Sequence, residues 1–381
     1  MNYEIVIVGG GIMGLSTAYH LCLRGIKGIV IVERQGYIGG HSTLRCAGGI
    51  RYQFASEINV DMSVENRKII EKIQMENDLD FKFSNCGYAF VVTDSERVKI
   101  YKEAVSMQNR KKIPTKIYSS DEFAQKVPQL NYKDVEFITY CEDEGILDVN
   151  TVVNYLYRNL LNYGVEFLIN EEVSGISVEQ DIFIVKTNKQ NIMAKKMVNA
   201  AGPWSKEIAA MVGLNIPINR AFQQVLVTSE IEGVNKDFPV VIFSDIGIGY
   251  HEEGKGILTQ YNRVYDEKMK DSENIDYDWF LKHCRIGIER FKQLEDSFPV
   301  TEWIGFYDET PDGNPIIGES KAVKSFYNLC GFNGHGFMHG FIAGKLLSEE
   351  IIDGCAKTLN IDVFREERFS NARKHTEVYK I

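Results

Sequence analysis

Two short apolar runs near the start of the chain predict buried strands joined by a helix. Residues 4–8 are apolar and β-branched and lead directly into three glycines, which is the pattern of a parallel strand buried on both faces. Residues 12–24 then repeat apolar side chains at helical spacing, and residues 28–33 form a second apolar run that ends in an acid. Together these segments predict one β-α-β unit.

Further along the chain, helical and strand patterns follow one another without any internal repeat. Helical spacing predicts helices near 61–78, 150–163, 275–296 and 336–352. Apolar or alternating runs predict strands at 87–93, 165–169, 197–202, 222–228, 240–243 and 256–260, with a hairpin around 173–187. No low-complexity tract or Pro/Ser-rich linker separates these elements, so we expect interleaved domains rather than domains joined by a tether.

Composition narrows the class of protein. The 381 residues suffice for two or three domains, and 44% hydrophobic with 25% charged residues is typical of a globular chain, which argues against disorder. The net charge of −10 argues against nucleic acid or an anionic membrane as the main partner. No apolar run reaches the ~20 residues of a membrane span, so no transmembrane segment is expected. The N-terminus also lacks the pattern of a signal peptide.

The seven cysteines are scattered along the chain. No pair has the spacing of a zinc or iron–sulfur site, so no metal is predicted. An odd number of isolated cysteines suits a reducing compartment better than a secreted disulfide framework. We therefore expect a cytoplasmic protein.

The strongest chemical signal is the glycine-rich turn Gly9-Gly10-Gly11-Ile12-Met13-Gly14, which follows the first strand and opens the first helix. Gly9 permits the tight turn, Gly11 lets the backbone approach a pyrophosphate, and Gly14 allows close packing of the helix on the strand. The free N–H groups of the helix, which begins near Ile12 and Met13, favour bound phosphates. The alternative is an ordinary strand–helix turn that binds nothing.

Glu33 makes this turn a more specific signal. It ends the second strand, where an acidic side chain can hold the ribose hydroxyls of a dinucleotide. The chain also has three further glycine-rich segments, at 39–51, 200–204 and 331–338. A nicotinamide enzyme usually has no need of them, so they favour a different dinucleotide.

With these segments the sequence resembles the D-amino-acid-oxidase-like FAD amine oxidoreductases, which include glycine oxidase, sarcosine oxidase and the β subunits of dye-linked L-proline dehydrogenases. Four ordered signatures over essentially the whole chain support the resemblance. They are the first glycine turn with Glu33, Asn199-Ala-Ala-Gly-Pro-Trp204, Thr310-Pro-Asp-Gly-Asn-Pro-Ile-Ile-Gly318 and Gly331-Phe-Asn-Gly-His-Gly-Phe337. They are specific for the family and not for the substrate.

The resemblance implies an FAD site along these segments. The loop at Ser42 and Thr43 would lie beside the pyrophosphate and flavin, Val173 would meet the adenine, and the last glycine loop would place N–H groups at the flavin N1–C2=O edge. A simple glycine hinge is the alternative for that last loop. The cofactor residues predicted in this way are Gly9, Gly11, Ile12, Met13, Gly14, Glu33, Arg34, Ser42, Thr43, Ala47, Gly48, Gly49, Val173, Ala200, Ala201, Gly202, Trp204, Gly305, Gly331, Asn333, Gly334, His335, Gly336, Phe337 and Met338.

The resemblance also implies the reaction, which is oxidation of a C–N bond next to a carboxylate by hydride transfer to flavin N5. Arg51 aligns with the arginine that holds the carboxylate in sarcosine oxidases, although it could be a surface arginine on a strand edge. Tyr250 falls where a tyrosine lines the substrate pocket, although it could be a core aromatic. No general base is required if a neutral amine delivers the hydride, and His251 and His339 stay without a role.

Three departures from the family pattern refine this expectation. Gly305 stands where monomeric sarcosine oxidases attach their flavin to a cysteine, so we expect non-covalent FAD. Leu258 aligns with a lysine that promotes reaction with oxygen, although nearby Lys255 could take its place if the alignment has a gap. Met338 replaces a carboxylate-binding lysine. The loss of two cations weakens stabilisation of superoxide, so a dehydrogenase is favoured over an oxidase.

The resemblance implies a fold of class α/β, with a Rossmann-type FAD-binding domain interleaved with a sheet-rich α+β substrate domain. The FAD-binding domain is expected to gather residues 1–80, 145–220 and 300–381. The substrate or cap domain is expected to gather residues 81–144 and 221–299.

The segment from Arg45 to Arg51 resembles the dye-linked proline dehydrogenase β subunits more than glycine oxidase. It implies an α subunit or an electron-acceptor protein as partner, and an additional FMN at such an interface. The expected substrate is a small amino acid, with proline, sarcosine and glycine as candidates. Three alternatives stay open: a peroxide-forming amino-acid oxidase, a 2-hydroxy-acid dehydrogenase that uses His251 or another pocket histidine as a base, and a non-catalytic flavin subunit of a larger complex.

Overall fold

The computed structural model describes residues 2–262, 274–370, 376, 377 and 379. Eight α-helices lie in these ranges: α1 (Ile12–Leu23), α2 (Glu57–Asn77), α3 (Val98–Arg110), α4 (Ser120–Lys126), α5 (Val149–Asn162), α6 (Ser205–Ala210), α7 (Tyr277–Arg290) and α8 (Gly336–Asp353). In these same ranges no helix is both long enough and apolar enough to span a bilayer.

The first large sheet has a parallel centre. Its strands are β1 (Asn2–Val8), β2 (Ile29–Glu33), β8 (Glu166–Ile169), β9 (Val173–Glu179), β10 (Ile182–Thr187), β11 (Asn191–Asn199), β17 (Ile316–Glu319) and β18 (Phe326–Cys330). The strand order is β17-β18-β11-β1-β2-β8, and the β9–β10 hairpin pairs with β11. Strand β1 is parallel to both β2 and β11, so the predicted β-α-β unit forms the middle of the sheet.

The second large sheet is mostly antiparallel. Its strands are β4 (Tyr88–Val92), β5 (Lys116–Tyr118), β6 (Phe137–Cys141), β12 (Asn219–Thr228), β13 (Val240–Phe243), β14 (Ile248–Glu253), β15 (Gly256–Asn262) and β16 (Pro299–Glu309), in the order β16-β12-β15-β14-β13-β4-β6-β5. A short ladder of β3 (Gly49–Ile50) with β7 (Gly145–Ile146) lies apart from both sheets. The α/β fold class is confirmed.

One strand lies in a different sheet from the one that its predicted domain suggests. The expected boundary at residue 300 assigns residues 300–309 to the FAD-binding domain, but β16 pairs along its whole length with β12 in the second sheet. The physical reason is that β12 is ten residues long and buried throughout its length except at Asn219, so its backbone needs hydrogen-bond partners on both sides. The first sheet supplies no strand there.

Helix α8 packs directly on α1, beneath the first sheet. A Cβ atom at Gly344 would stand 2.3 Å from Ser16 Oγ, and one at Gly340 would stand 2.4 Å from the Ile12 side chain. The Ser16 hydroxyl donates to Phe341 O at 3.2 Å across this contact. Small residues therefore let the two helix backbones approach closely, which fixes the start of α1 against the start of α8.

Helix α5 covers the other side of α1 with a single apolar face. Asp148 caps its first turn by accepting a hydrogen bond from Thr151 N at 2.6 Å. The buried residues of α5 recur at helical spacing: Val149, Val152, Val153, Leu156 and Leu160. This one-sided burial confirms the helix predicted at 150–163.

Buried histidines give the fold an acid-sensitive stability. Burial lowers the pKa of His20 and of His283 to about 4, whereas an unfolded histidine titrates near 6.5. Between these values the unfolded chain binds protons that the folded chain does not. The free energy of unfolding therefore falls as the pH drops from about 6.5 to 4, by up to ~1.4 kcal/mol per pH unit for each histidine.

We expect the substitution His283→Gln to make the urea midpoint less dependent on pH than in the wild type over pH 7 to 5. Gln can still bond to Thr259 Oγ1, which lies 3.0 Å from His283 Nε2. The buried acids Glu144 and Asp308 have raised pKa values, so they make the fold more stable as the pH falls. Both proteins contain these acids, so their contribution cancels when the two pH dependences are compared. Parallel slopes in the two proteins would contradict this prediction.

Candidate active site

The glycine-rich turn is the tightest backbone contact between β1 and α1. Gly9 has a φ of +111°, and a Cβ there would stand 2.2 Å from Ala200 O. A Cβ at Gly14 would stand 2.0 Å from Gly9 O. At Gly11 a Cβ meets only Thr43 Oγ1, at 3.1 Å, so that glycine leaves room on the cavity side. The free N-terminal end of α1 points into this space, and Thr43 Oγ1 accepts a hydrogen bond from Ile12 N at 3.0 Å.

Glu33 stands at the carboxyl end of β2 beside this turn. Its two carboxylate oxygens each accept a backbone hydrogen bond at 2.8 Å, one from Gly10 N and one from Gln35 N. These bonds fix the carboxylate at the wall of the cavity. Next to it, the Arg34 guanidinium lies 3.5 Å from the centre of the Trp204 ring.

A cavity of about 410 Å³ follows the turn. Most of the predicted cofactor residues line it: Gly9, Gly11, Ile12, Met13, Glu33, Arg34, Ser42, Thr43, Val173, Ala200, Ala201, Gly202, Trp204, Gly334, Gly336 and Phe337. Its shape and lining fit FAD, because glycine backbone, a helix N-terminus and a fixed carboxylate meet the groups that a dinucleotide presents. No group of metal-binding side chains occurs in the described ranges.

A smaller cavity of about 60 Å³ opens from the first, and six residues line both: Ser42, Cys46, Phe306, Tyr307, Gly334 and Phe337. The predicted residues Ala47, Gly48, Gly49, Gly305 and Met338 line only this smaller cavity, together with Tyr250. Its floor is the loop after β2, and its roof is one face of the second sheet. We call it the sheet cavity.

The loop of residues 42–45 is bonded to the edge of β16. Ser42 Oγ donates to Phe306 O at 2.7 Å, and Arg45 Nη1 donates to Ile304 O at 3.0 Å. Trp303 Nε1 donates back to Arg45 O at 3.0 Å. These bonds join the dinucleotide side of the site to the second sheet, and they explain why β16 belongs to that sheet and still contributes to the cofactor cavity.

Four predicted cofactor residues line neither cavity. Gly14 packs the helix on the turn, and the other three shape the loop before α8. Gly331 N donates to Asp308 Oδ2 at 2.6 Å, and Asn333, with a φ of +49°, accepts from Thr310 N at 2.9 Å through Oδ1. His335 lies 3.3 Å from Gly313 O through its Nε2 atom. Their contacts position Gly334 and Gly336, which do line the cavity.

A chain of hydrogen bonds through two histidines fixes this loop. His335 Nε2 must donate to the Gly313 carbonyl, so its Nδ1 accepts from His339 Nδ1 at 3.3 Å. His339 Nε2 then accepts from the Ser63 hydroxyl at 2.9 Å. Burial, His335 and Arg51 hold the pKa of His339 well below its usual range, so His339 stays neutral.

The walls of the sheet cavity are mainly apolar, with Ile146, Val225, Val240, Ile242, Leu258 and Met338 among them. Besides Tyr250, the tyrosines Tyr88 and Tyr307 also line it. In the described part of the chain neither hydroxyl has a hydrogen-bond partner. Burial raises the pKa of both tyrosines, while the charge of Arg51 acts in the opposite direction on each. Both hydroxyls therefore keep their protons and can donate.

Strand β14 presents neighbouring residues to opposite sides of the sheet. Tyr250 borders the sheet cavity, but its hydroxyl donates to Gly287 O at 3.2 Å and its ring lies 5.8 Å from Phe291 in the core on the far side. His251 pairs with Leu258 across the strands, on the cavity side. From the sequence, His251 has no predicted role in amine oxidation and is only a candidate base for a 2-hydroxy acid, although the alternation of the strand could have indicated its place on the cavity.

Arg51 is buried and does not line either cavity. Its guanidinium donates to Gln53 O and, at 2.9 Å, to Tyr379 O, and its central carbon lies 3.9 Å from the centre of the Phe54 ring. The Tyr379 side chain is fully buried beside it. The described C-terminal residues thus form part of the wall behind Tyr88, which shares an apolar cluster with Tyr379. No sequence pattern indicated this contact.

Two buried carboxylates complete this wall. Glu377 accepts hydrogen bonds from Ala55 N at 3.0 Å, from Ser56 N at 3.1 Å and from Asn59 Nδ2 at 3.1 Å. Glu144 accepts from Gln53 N at 2.9 Å and from Gln53 Nε2 at 2.7 Å, and burial raises its pKa to about 7. Arg51 is thereby surrounded by fixed polar groups.

The two cavities share lining residues, so together they lead from Glu33 past Thr43 to the sheet cavity. This arrangement suits a long cofactor, whose reactive ring would be held between the two sheets. Fold and site together define a dinucleotide-dependent oxidoreductase. Comparison with known proteins specifies the family. Residues 4–350 match the family described as FAD dependent oxidoreductase, and the chain belongs to that family. The resemblance drawn from the four glycine signatures is confirmed.

Individual relatives differ in how much of their length is matched. FAD-dependent oxidoreductase domain-containing protein 1 of Xenopus laevis is 28% identical over 96% of this chain and 82% of its own length. Mitochondrial sarcosine dehydrogenase of Mus musculus is 27% identical over 92% of this chain, which spans only 40% of that relative. The crystal structure of L-proline dehydrogenase from P. horikoshii is 29% identical, with a TM-score of 0.88 over 98% of this chain and 99% of that one.

Proposed function

We propose that the protein oxidises a small amino acid with a primary or secondary amine to its imine, with proline and sarcosine as the leading substrates and glycine as a third candidate. The observation that carries this proposal is the sheet cavity, which is small, mainly apolar and continuous with the dinucleotide cavity. FAD, held non-covalently, supplies the acceptor of a hydride when bound. Similarity to L-proline dehydrogenase over nearly the full length of both chains supports proline.

A carboxylate of the substrate would be recognised by hydroxyl donors backed by a positive charge. Tyr88 and Tyr307 line the sheet cavity with protonated hydroxyls, and Arg51 lies behind them. A buried cation attracts an anion through a low-dielectric medium. Among the described residues Arg51 forms no salt bridge, and Glu144, a buried carboxyl that its charge affects, is held by Gln53. We therefore propose Arg51 as the source of carboxylate affinity and the two tyrosines as the groups that contact the substrate, with Tyr250 shaping the cavity from its border.

The acceptor of the electrons is proposed to be a dye-like compound, a quinone or a partner protein rather than oxygen. Leu258 and Met338 line the sheet cavity in the positions expected to carry lysines in oxidases. Lys255 does not replace them, since it lies in the turn between β14 and β15 and pairs with Glu230 at 3.5 Å on the exposed side. Without these cations, superoxide formed next to the flavin would lack stabilisation.

A titration of the anaerobic, FAD-loaded protein tests the proposal. We expect the visible flavin band to bleach with L-proline or sarcosine and to recover quickly with an added dye but slowly in air. The panel includes glycine, D-alanine and L-2-hydroxyglutarate. Fast recovery in air would contradict the dehydrogenase assignment, and no bleaching by any amino acid would contradict the proposed function of the isolated chain.

One observation favours a second candidate. His251 lies on the sheet cavity, as a base for a 2-hydroxy acid would have to. Burial lowers its pKa to about 4, which makes it a weak base for a hydroxyl proton, so the amine remains our first choice. Bleaching by L-2-hydroxyglutarate alone would reverse that order.

We propose that the protein acts in the cytoplasm, together with a partner protein. All seven cysteines are free, which suits a reducing compartment such as the cytoplasm. The likeness of the segment from Arg45 to Arg51 to dye-linked β subunits supports an α subunit or acceptor protein, with an additional FMN between the chains. Copurification of such a partner with a second flavin would test this.

A further inference from the structure

His251 carries a buried nitrogen that the fold leaves without a partner. Its side chain is 4% exposed, and its Nε2 atom has no hydrogen-bond partner in the described part of the chain. A buried polar atom without a partner costs stability, and such atoms are rare in folded proteins. This one belongs to a residue that lines the sheet cavity, where a ligand can supply the missing partner.

The other ring nitrogen determines which partner is required. His251 Nδ1 lies 2.7 Å from Glu252 O. A carbonyl oxygen only accepts, so Nδ1 carries the proton and donates. Nε2 therefore presents a lone pair, and it can be satisfied only by a group that donates a hydrogen. Burial keeps the ring neutral, with a pKa near 4, so this property holds throughout the physiological pH range.

The sheet places this acceptor among apolar neighbours. His251 pairs with Leu258 on β15, and the cavity lining around it includes Val240 and Ile146. Gln223, Gln260 and Arg45 also line this cavity, but in the described part of the chain none of them donates to Nε2. Tyr88 and Tyr307 line the same cavity, and their protonated hydroxyls can donate. The sheet cavity thus combines donors suited to a carboxylate with an acceptor suited to an N–H group.

We propose that His251 Nε2 accepts a hydrogen bond from the amine N–H of the substrate and so restricts the substrate to primary and secondary amines. This inference rests on the proposed function and names the substrate class of that site. An amine must be neutral to release hydride from its α-carbon. In that form proline and sarcosine keep one N–H, whereas a tertiary amine such as N,N-dimethylglycine has none. His251 orients the nitrogen and takes up no proton.

Two unreactive ligands of the same shape test the proposal in the FAD-loaded protein. Pyrrole-2-carboxylate carries an N–H donor where 2-furoate carries an oxygen acceptor, and both have the carboxylate. Binding is followed by perturbation of the flavin spectrum, which needs no turnover. We expect the wild type to bind pyrrole-2-carboxylate at least ~10-fold more tightly than 2-furoate, because the furan oxygen would face the Nε2 lone pair.

Two variants assign the effect to His251. His251→Leu is expected to abolish the preference for the N–H ligand, because no acceptor remains. His251→Gln carries an oxygen near the position of Nε2 and is expected to restore part of the preference. Equal binding of the two ligands by the wild type, or an unchanged preference in the leucine variant, would overturn the proposal. Failure of both ligands to bind would instead overturn the proposed amino-acid function on which it rests.

A comparison of two substrates in the wild type tests the same proposal without any variant, so it applies even if His251→Leu does not fold. Sarcosine is expected to bleach the flavin at least ~10-fold faster than N,N-dimethylglycine at equal concentration. Equal rates for these two substrates would overturn the N–H requirement while leaving the amino-acid function in place.

Discussion

Replacing Gly14 with alanine is expected to weaken FAD binding by at least ~100-fold. The added Cβ would stand 2.0 Å from Gly9 O, and backbone cannot yield as a flexible side chain can. Helix α1 would have to move away from β1, which carries its free N–H groups away from the cofactor phosphates. Fluorescence titration of the apoprotein with FAD measures the loss directly.

Two further glycines separate loss of cofactor affinity from general loss of structure. Gly175→Ala lies on β9, where an added Cβ meets no heavy atom within 4 Å, and wild-type affinity is expected. Gly11→Ala meets only Thr43 Oγ1 at 3.1 Å, so the fold should persist while the methyl group intrudes on the cavity. Wild-type affinity in both Gly11→Ala and Gly14→Ala would contradict the placement of the pyrophosphate at this turn.

Replacing Arg51 with methionine is expected to weaken both the fold and the binding of carboxylates. Methionine keeps the apolar stem but leaves Gln53 O and Tyr379 O without their charged donor. Loss of these bonds is expected to cost ~3 kcal/mol in the free energy of unfolding. Removal of the positive charge behind Tyr88 and Tyr307 should also weaken pyrrole-2-carboxylate binding at least ~30-fold. Urea unfolding and ligand titration measure the two effects.

The matched control is Glu377→Gln, which disturbs the same C-terminal contact without touching Arg51. Glu377 accepts hydrogen bonds from Ser56 N and Asn59 Nδ2. The glutamine side chain would bring its own NH₂ group, which is a donor, against these N–H groups. We expect a loss of stability with ligand affinity close to that of the wild type. If Arg51→Met behaves in the same way, Arg51 only anchors the C-terminal residues and the carboxylate is bound elsewhere.

The sequence could predict the cofactor side of the molecule because its signals are local. A few consecutive residues suffice to recognise the first β-α-β unit, Glu33 and the later glycine loops. Most of the cofactor residues inferred from them line one cavity. The glycines have steric roles that hold in any fold of this kind. A close approach such as the one between Gly14 and Gly9 O permits no other residue.

The residues around the sheet cavity are brought together by contacts between segments that are distant in the chain. A single sequence does not reveal such contacts. Tyr379 reaches Arg51 from the far end of the chain, and no periodicity links the two. Strand alternation does indicate that Tyr250 and His251 face opposite sides, but only the packing of α7 shows which side is the core. The family resemblance pointed to Tyr250, whereas the buried nitrogen without a partner among the described residues is Nε2 of the next residue, His251.

The order of strands also sets when this protein can acquire its flavin. The β1 strand emerges from the ribosome before its partners, since it pairs with β11, which pairs in turn with β18, and the loop at 331–336 closes the cofactor cavity only after that. A nascent chain therefore lacks a complete flavin site until residue 337 has been synthesised. Flavin capture must follow that point, and under riboflavin limitation an open apoprotein would persist as a target for cellular proteases.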